Sequence, residues 1–178
     1  MNLTPVKIPK LVKAMFPSFV WNIDTDEKTL YLTFDDGPTP EITDWVLNCL
    51  NDYNAKATFF CIGKNIEKHP EIFQRIIDNG HAIGNHTFNH LKGWKTKSTD
   101  YIKDVEKASK YISSKLFRPP YGRIKPKQAK LLINADFKIV MWSVLSLDWD
   151  ITVSENQCYK NVIEKSEPGS IIVFHDSE

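Results

Sequence analysis

The chain has 178 residues, of which 42% are apolar and 25% charged, and it carries a formal net charge of +1. Those values fit one globular domain and give no electrostatic reason for a nucleic-acid or membrane-surface partner. No stretch is apolar and long enough to span a membrane, and three cysteines without a C-x-x-C pair, Cys49, Cys61 and Cys158, argue against a disulfide framework.

Residues 1–28 contain Pro5, Pro9 and Pro17 and end in the polar run DTDEK. They read as an irregular lead-in that packs on the domain through Phe16, Phe19 and Trp21. Lys7, Lys10 and Lys13 occur there without a continuous apolar run, so no secretory signal is expected and the sequence by itself points to the cytoplasm. Residues 29–178 form the expected domain. Asn2 and Asn85 each begin an N-x-[ST] match, and both read as chance.

The stretch Thr29–Pro38, TLYLTFDDGP, opens the domain. Leu30–Phe34 is an uncharged run suited to a buried strand, and Gly37–Pro38 stops it. Between the two stand Asp35 and Asp36. Adjacent carboxylates repel unless a cation or a hydrogen-bond donor takes up the charge. A helix cap would need only one of them.

Pro40–Tyr53 has apolar residues at helical spacing, with Thr39 as cap and Pro40 at the first helical position. Ala57–Ile62 is a second buried strand closed by Gly63, with Cys61 a buried thiol. Pro70–Asn79 is a helix ending at Gly80, and His81–Gly84 a short strand that runs into Asn85–His90, NHTFNH. Lys92, Lys95 and Lys97 read as a solvated basic loop. Ser98–Leu116 reads as a longer helix with Tyr101, Ile102, Val105, Ala108, Tyr111 and Ile112 on one side. Phe117–Gly122, FRPPYG, is a rigid turn. A helix over Pro126–Ala135, a strand over Phe137–Trp142, a helix over Ser154–Lys165 and a last strand over Ser170–Phe174 complete the chain, which reaches His175 and Asp176.

Strands alternating with helices imply an α/β fold of parallel strands joined by crossovers. The carboxyl ends of such strands share one face, where sites are built. Asp35, Asp36, His86, Arg118, Asp148 and His175 all stand where strands end. His86 and His90 are four residues apart, a spacing that puts two imidazoles on one side of a helical turn. Alone that pattern is weak. Asp36 as a third ligand makes a two-His, one-carboxylate set suited to zinc and open to cobalt, nickel or iron. Asp35 is then free to take a proton from a water acidified by the cation. His175 suits a general acid, because its ordinary pKa is about 6.5. Asp148 could orient and charge it. Arg118, in isolation a surface salt bridge, could hold Asp35 ionised.

With those residues in place the chain resembles the polysaccharide deacetylase family, the NodB-homology domain of carbohydrate esterase family four. Five motifs occur in the family's order: T-F-D-D-G at Thr33–Gly37, H-T-x-x-H at His86–His90, R-P-P-Y-G at Arg118–Gly122, S-x-D-W at Ser146–Trp149, and an apolar strand ending in His175. The resemblance implies a distorted (β/α) barrel of about seven parallel strands, related to the closed (β/α) barrel. It implies a divalent metal on Asp36, His86 and His90, with Asp35 as base and Arg118 as its buttress. His175 would be the acid oriented by Asp148, and the Tyr121 N–H an oxyanion donor, a role closed to Pro119 and Pro120. Trp149 and Phe174 would line the acetyl pocket. The implied partner is an acetylated carbohydrate, peptidoglycan glycan or chitin oligosaccharide, bound by a monomer and losing N-acetyl groups as acetate. An O-acetyl xylan esterase and a catalytically silent carbohydrate-binding protein are the alternatives. Leu145 stands where many members have an acid, the chain stops three residues after His175, and family members often act outside the cytoplasm.

Overall fold

A computed structural model describes residues 5–177. The Asn2 match and the first four residues of the lead-in lie outside them. Seven strands form one sheet: β1 (Tyr31–Asp35), β2 (Ala57–Cys61), β3 (Ala82–Asn85), β4 (Leu116–Phe117), β5 (Lys138–Ile139), β6 (Val144–Leu145) and β7 (Ile171–His175). Their order is β5-β4-β3-β2-β1-β7-β6, and every pair is parallel. The sheet curls into the half-barrel of the distorted (β/α) type, with helices α1 (Lys10–Met15), α2 (Ile42–Asp52), α3 (Gly63–Lys68), α4 (Pro70–Asp78), α5 (Ser98–Ala108), α6 (Pro126–Asn134) and α7 (Glu155–Lys165). Among the described residues, no helix is long and apolar enough to cross a membrane.

β1 sits near the middle of the sheet, and its register sets the site. Asp35 lies level with Phe60 on one side and with His175 on the other. Helices cover the strands with apolar stripes. Val46, Leu47 and Leu50 of α2, Ile66 of α3, Phe73 and Ile76 of α4 and Ala108 of α5 pack with Phe59 and Cys61 of β2. Tyr101 and Val105 of α5 and Leu132 of α6 pack with Phe117 and Ile139. Each large side chain buried this way contributes about 1.5–3 kcal/mol. α4 starts on Pro70 at its first position, and Gly80 follows it at φ 74°. α7 is capped by Ser154, whose hydroxyl accepts the Gln157 N–H. All three cysteines are free, and Cys61 is fully buried.

Several elements differ from the sequence reading. α5 ends at Ala108 rather than Leu116, because Ser114 accepts the Leu116 N–H and turns the chain into β4. The expected strand over Phe137–Trp142 keeps only Lys138–Ile139, with one bridge from Val140 to Val20. Beyond it, the carbonyls of Val140 and Met141 are taken by Arg118. α3 and β6 are too short for a periodic signal. Thr39 is not a side-chain cap, since α2 starts at Ile42 and the Thr43 hydroxyl accepts the Thr39 N–H. The lead-in is partly regular: it contains α1 and forms bridges from Lys7 to Val144 and Asn22 to Ser170. Trp21 is buried and Phe19 packs beside it, whereas Phe16 stacks on Phe19 from outside and stays 40% exposed.

Candidate active site

Asp35 is the last residue of β1 and is buried. Asp36 follows at φ 81°, in the left-handed region that costs a non-glycine residue about 1–3 kcal/mol. The turn is held by its surroundings. The Asp36 N–H donates to the Phe60 carbonyl (3.2 Å), Asn65 Nδ2 donates to the Asp36 carbonyl (2.8 Å), and the Gly37 N–H donates to Asp176 Oδ1 (3.0 Å). A Cβ on Gly37 would lie 1.9 Å from Asp176 Oδ2, so only glycine fits. Asp176 is fully buried, its other oxygen accepts the Thr43 hydroxyl (2.7 Å), and its N–H donates to the Asp35 carbonyl (3.1 Å). Burial pushes the Asp176 carboxyl up to about 7, against the hydrogen bonds from Thr43 and the Gly37 N–H.

The two neighbouring carboxylates have separate partners. Asp35 Oδ1 accepts from Arg118 Nη1 at 2.7 Å. Arg118 is completely buried and spends its other donors on Thr33 Oγ1 (2.7 Å) and the carbonyls of Val140 (3.1 Å) and Met141 (2.9 Å). Its guanidinium lies 4.1 Å from the Phe60 ring centroid. Burial pulls the Arg118 pKa down while Asp35 holds it up. This is an interior ion pair whose guanidinium also donates to Thr33 and two carbonyls, rather than a surface bridge.

Asp36 instead faces two imidazoles. His86 Nε2 and His90 Nε2 lie 3.4 and 3.1 Å from Asp36 Oδ1. His86 Nδ1 is 2.8 Å from the Arg118 carbonyl. A carbonyl only accepts, so Nδ1 carries the proton and Nε2 presents its lone pair toward Asp36. Asp36 Oδ1 is buried and makes no hydrogen bond. The ligand atoms of the three residues all lie within 4.8 Å of one another. An orphaned carboxylate oxygen beside two imidazole nitrogens suits a divalent cation of borderline softness.

The histidines do not sit on a helical turn. Thr87 and His90 have φ of 66° and 54°, so the segment is an irregular loop. Buried side chains fix it from beneath. Asn85 Oδ1 accepts the Thr87 N–H (2.8 Å). Asp104 Oδ2 accepts the N–H groups of Phe88 (2.8 Å) and Asn89 (2.9 Å), and Oδ1 accepts from the Asn89 side chain. Sequence reasoning missed Asp104, Asn85, Thr33 and Asp176. The one available signal was Asp104's place within the apolar stripe Tyr101–Val105–Ala108, where an unpaired acid would be costly.

At the far side of β1, His175 ends β7. Asp148 Oδ2 accepts the His175 N–H (2.7 Å), and Oδ1 lies 2.8 Å from Nδ1. Burial works against a charged His175. The hydrogen bond that His175 Nδ1 donates to Asp148 and the charges of Asp35, Asp148 and Asp36 overcome it, so the pKa lies above the ordinary value. Trp149 stands edge-on to the His175 ring at 4.9 Å.

These groups surround a cavity of about 570 Å³ lined by Asp35, Asp36, His86, His90 and His175, with Tyr121, Trp142, Leu145, Trp149 and Val173 as its larger walls. Leu145 makes an apolar wall there. The Trp142 indole N–H is buried without a partner. Tyr121 sits in the left-handed region at φ 60°, and its ring lies 4.7 Å from that of His90. Phe174 does not line the cavity. Side chains alternate along a strand, so Val173 and His175 face it while Phe174 stacks on Phe34 at 5.6 Å.

The sequence model described as "Polysaccharide deacetylase" matches residues 22–140. A peptidoglycan-N-acetylglucosamine deacetylase of Bacillus cereus is 41% identical over 152 residues, 82% of this chain and 55% of that protein, so the chain spans little more than half of that relative. A chitooligosaccharide deacetylase of Azorhizobium caulinodans is 35% identical over 161 residues, 86% of this chain and 76% of that protein. A solved peptidoglycan N-acetylglucosamine deacetylase, in complex with 4-naphthalen-1-yl-N-oxidanyl-benzamide, is similar with a TM-score of 0.84 at 38% identity. The match covers 89% of this chain and 76% of that one.

Proposed function

The chain belongs to the polysaccharide deacetylase family, and we propose that it removes acetyl groups from N-acetylated sugars of peptidoglycan or chitin-type glycans. The observation that carries this reading is the split between adjacent carboxylates, Asp35 on a buried guanidinium and Asp36 on two imidazoles. The relatives' substrates support the amide over an ester. We take residues 29–178 as the domain and the preceding residues as its lead-in.

Asp36, His86 and His90 would hold one divalent cation, with zinc the best match to two imidazoles and a carboxylate. When bound, such a cation polarises a carbonyl and lowers the pKa of a water to about 7. Asp35, held in place by Arg118, takes the proton of the water that attacks the acetyl carbon. The Tyr121 backbone N–H is our candidate donor to the oxygen that becomes negative in the tetrahedral adduct. As the C–N bond breaks, His175 delivers its proton to the departing sugar amine, and acetate remains. Asp148 keeps the His175 ring oriented with Nε2 as the acid and favours its charged form. All of these groups come from one chain, which supports a monomer as the working unit.

The test is acetate release from peptidoglycan glycan, chitooligosaccharide and acetylated xylan, before and after dialysis against a chelator. The reading expects release from an N-acetylated glycan, loss on chelation and recovery with zinc or cobalt. Full activity without metal would contradict the cation's part. Release from xylan alone would make the protein an esterase, and glycan binding without release would make it a silent binder.

A further inference from the structure

Asp36, the carboxylate between the two imidazoles, stands in the left-handed region. The four backbone groups of its two peptide bonds are nevertheless all held. The Asp36 N–H donates to Phe60 (3.2 Å), and the Asp36 carbonyl accepts from Asn65 (2.8 Å). The remaining two, the Asp35 carbonyl and the Gly37 N–H, go to one residue. The Asp176 N–H donates to the Asp35 carbonyl (3.1 Å), and Asp176 Oδ1 accepts the Gly37 N–H (3.0 Å). Asp176 thus brackets Asp36 from both flanks.

The same residue directly follows His175 at the end of β7. The register sets His175 level with Asp35, and the Asp176 N–H continues that ladder one residue beyond the strands. Ser177 comes next, with its Oγ 3.5 Å from Asp36 Oδ2, whereas both imidazoles approach Oδ1. The fit at the bracket is close. A Cβ on Gly37 would meet all three atoms of the Asp176 carboxyl group within 2.6 Å. From α2, the Thr43 hydroxyl donates to Asp176 Oδ2 (2.7 Å) and accepts the Thr39 N–H (2.7 Å), which fixes the carboxyl group from its other side.

Asp176 is fully buried, and among the described residues it enters no ion pair. A carboxyl group buried without a cation beside it is costly, so its place needs a cause. It lies behind the cavity wall rather than on it, so that cause is not contact with substrate. A residue stays in a strained conformation only where its surroundings over-determine it. Ligands set in advance also hold an ion more tightly than ligands that must be gathered.

We propose that Asp176 is a positioning residue for the cation site: by holding both flanks of Asp36 it keeps that carboxylate aimed at His86 and His90, and by following His175 it ties the acid to the same turn. This rests on the cation reading of Asp36, His86 and His90. Without the bracket, the Gly37 N–H loses its acceptor, Asp36 relaxes out of the left-handed region, and Oδ1 moves off the imidazoles.

The test is the zinc affinity of the full chain, read by competition with a chelator on protein first freed of metal, with a denaturant titration on the same preparation. Asp176→Ala should bind zinc about 10- to 100-fold more weakly, the scale of losing a group that orients a ligand. Asp176→Asn keeps an acceptor for the Gly37 N–H and should hold zinc as the native sequence does. Thr43→Val removes the other hydrogen bond and should lower the unfolding midpoint, yet it leaves the bracket and therefore the zinc affinity in place. If the alanine chain does not fold, Asp176→Ser, whose hydroxyl is one bond shorter than the carboxyl group, takes its place with the same expectation. On zinc-saturated Asp176→Ala, kcat should fall on an N-acetyl sugar and on an aryl acetate alike while KM holds. Native zinc affinity in a folded alanine or serine chain, or zinc loss in Asp176→Asn at unchanged stability, would overturn the bracket alone. So would a loss in Thr43→Val as large as that in Asp176→Ala, because zinc affinity would then only follow stability. A native-sequence chain that binds no zinc would overturn the cation reading and the bracket with it. One that binds zinc but releases no acetate would remove the deacetylase reading, and the zinc comparison would still decide the bracket.

Discussion

The cavity has two catalytic sides that are secured differently. The His86–His90 loop is fixed from the interior: Asn85, His86 and Thr87 are all but fully buried, and Asp104 spends both oxygens on the loop. The corner of His175 and Asp148 is open, with 19% and 26% of those side chains exposed, and the two hold chiefly each other. A cation site needs its ligands placed before the ion arrives, so its loop must be determined by groups that water cannot replace. An acid needs proton exchange with solvent and one oriented partner. Damage to the first side should therefore show as lost stability and lost metal, and damage to the second as lost proton transfer in an intact fold.

Breaking the comparison from the interior side should have the largest effect. Asp104→Ala leaves the N–H groups of Phe88 and Asn89 without acceptors, at about 1–3 kcal/mol each. We expect a lower unfolding midpoint in denaturant together with weaker metal retention, measured on the same preparation. Normal metal content in a destabilised protein would show that the loop does not need Asp104 to place the histidines.

The open side should yield a smaller and more selective loss. His175→Ala should cost about a hundredfold in turnover on an N-acetyl sugar, the usual scale of general acid catalysis. The loss should be much smaller on an aryl acetate, whose phenolate leaves without a proton, and metal content should not change. Equal losses on both substrates would reduce His175 to a positioning role.

Asp148→Asn sharpens the same point at lower cost. Asp148 favours the protonated imidazole, and activity on the amide needs that proton, so activity falls as pH rises through the His175 pKa. Losing the carboxylate should move that fall to lower pH while the rate on aryl acetate hardly changes. The smallest effect is on stability. Because the folded His175 pKa lies above its unfolded value, the pair's contribution is fully present below the unfolded pKa. It is lost as pH rises through the folded one. Denaturant titrations of the native and Asp148→Asn chains across that window should converge at its alkaline end; a constant gap would contradict the linkage.

The parts of this arrangement that were legible in the sequence are those with local causes. β1, α4 and α7 carry their own punctuation, in Gly37–Pro38, Pro70 with Gly80, and Ser154. The clustering of Asp35, Asp36, His86, Arg118, Asp148 and His175 followed from their positions at strand ends. What escaped depends on distant partners. The histidine loop takes its shape from Asp104 on α5, so its spacing imitates a helix that does not exist. β4, β5 and β6 are two residues each, too short for any period to register. Phe174 was assigned to the cavity by its nearness to His175, and the pleat of β7 sends it to the opposite face.

The central claim is that Asp35 and Asp36, adjacent in the chain, do different work. Metal content and acetate release measured on Asp35→Asn and Asp36→Ala test it most directly. The account predicts that Asp36→Ala loses both metal and activity, because two imidazoles alone hold a cation poorly. Asp35→Asn should keep its metal and lose turnover, since the ligand set stays whole while the base is gone. Equal metal loss in the two variants, or full turnover in Asp35→Asn, would contradict it.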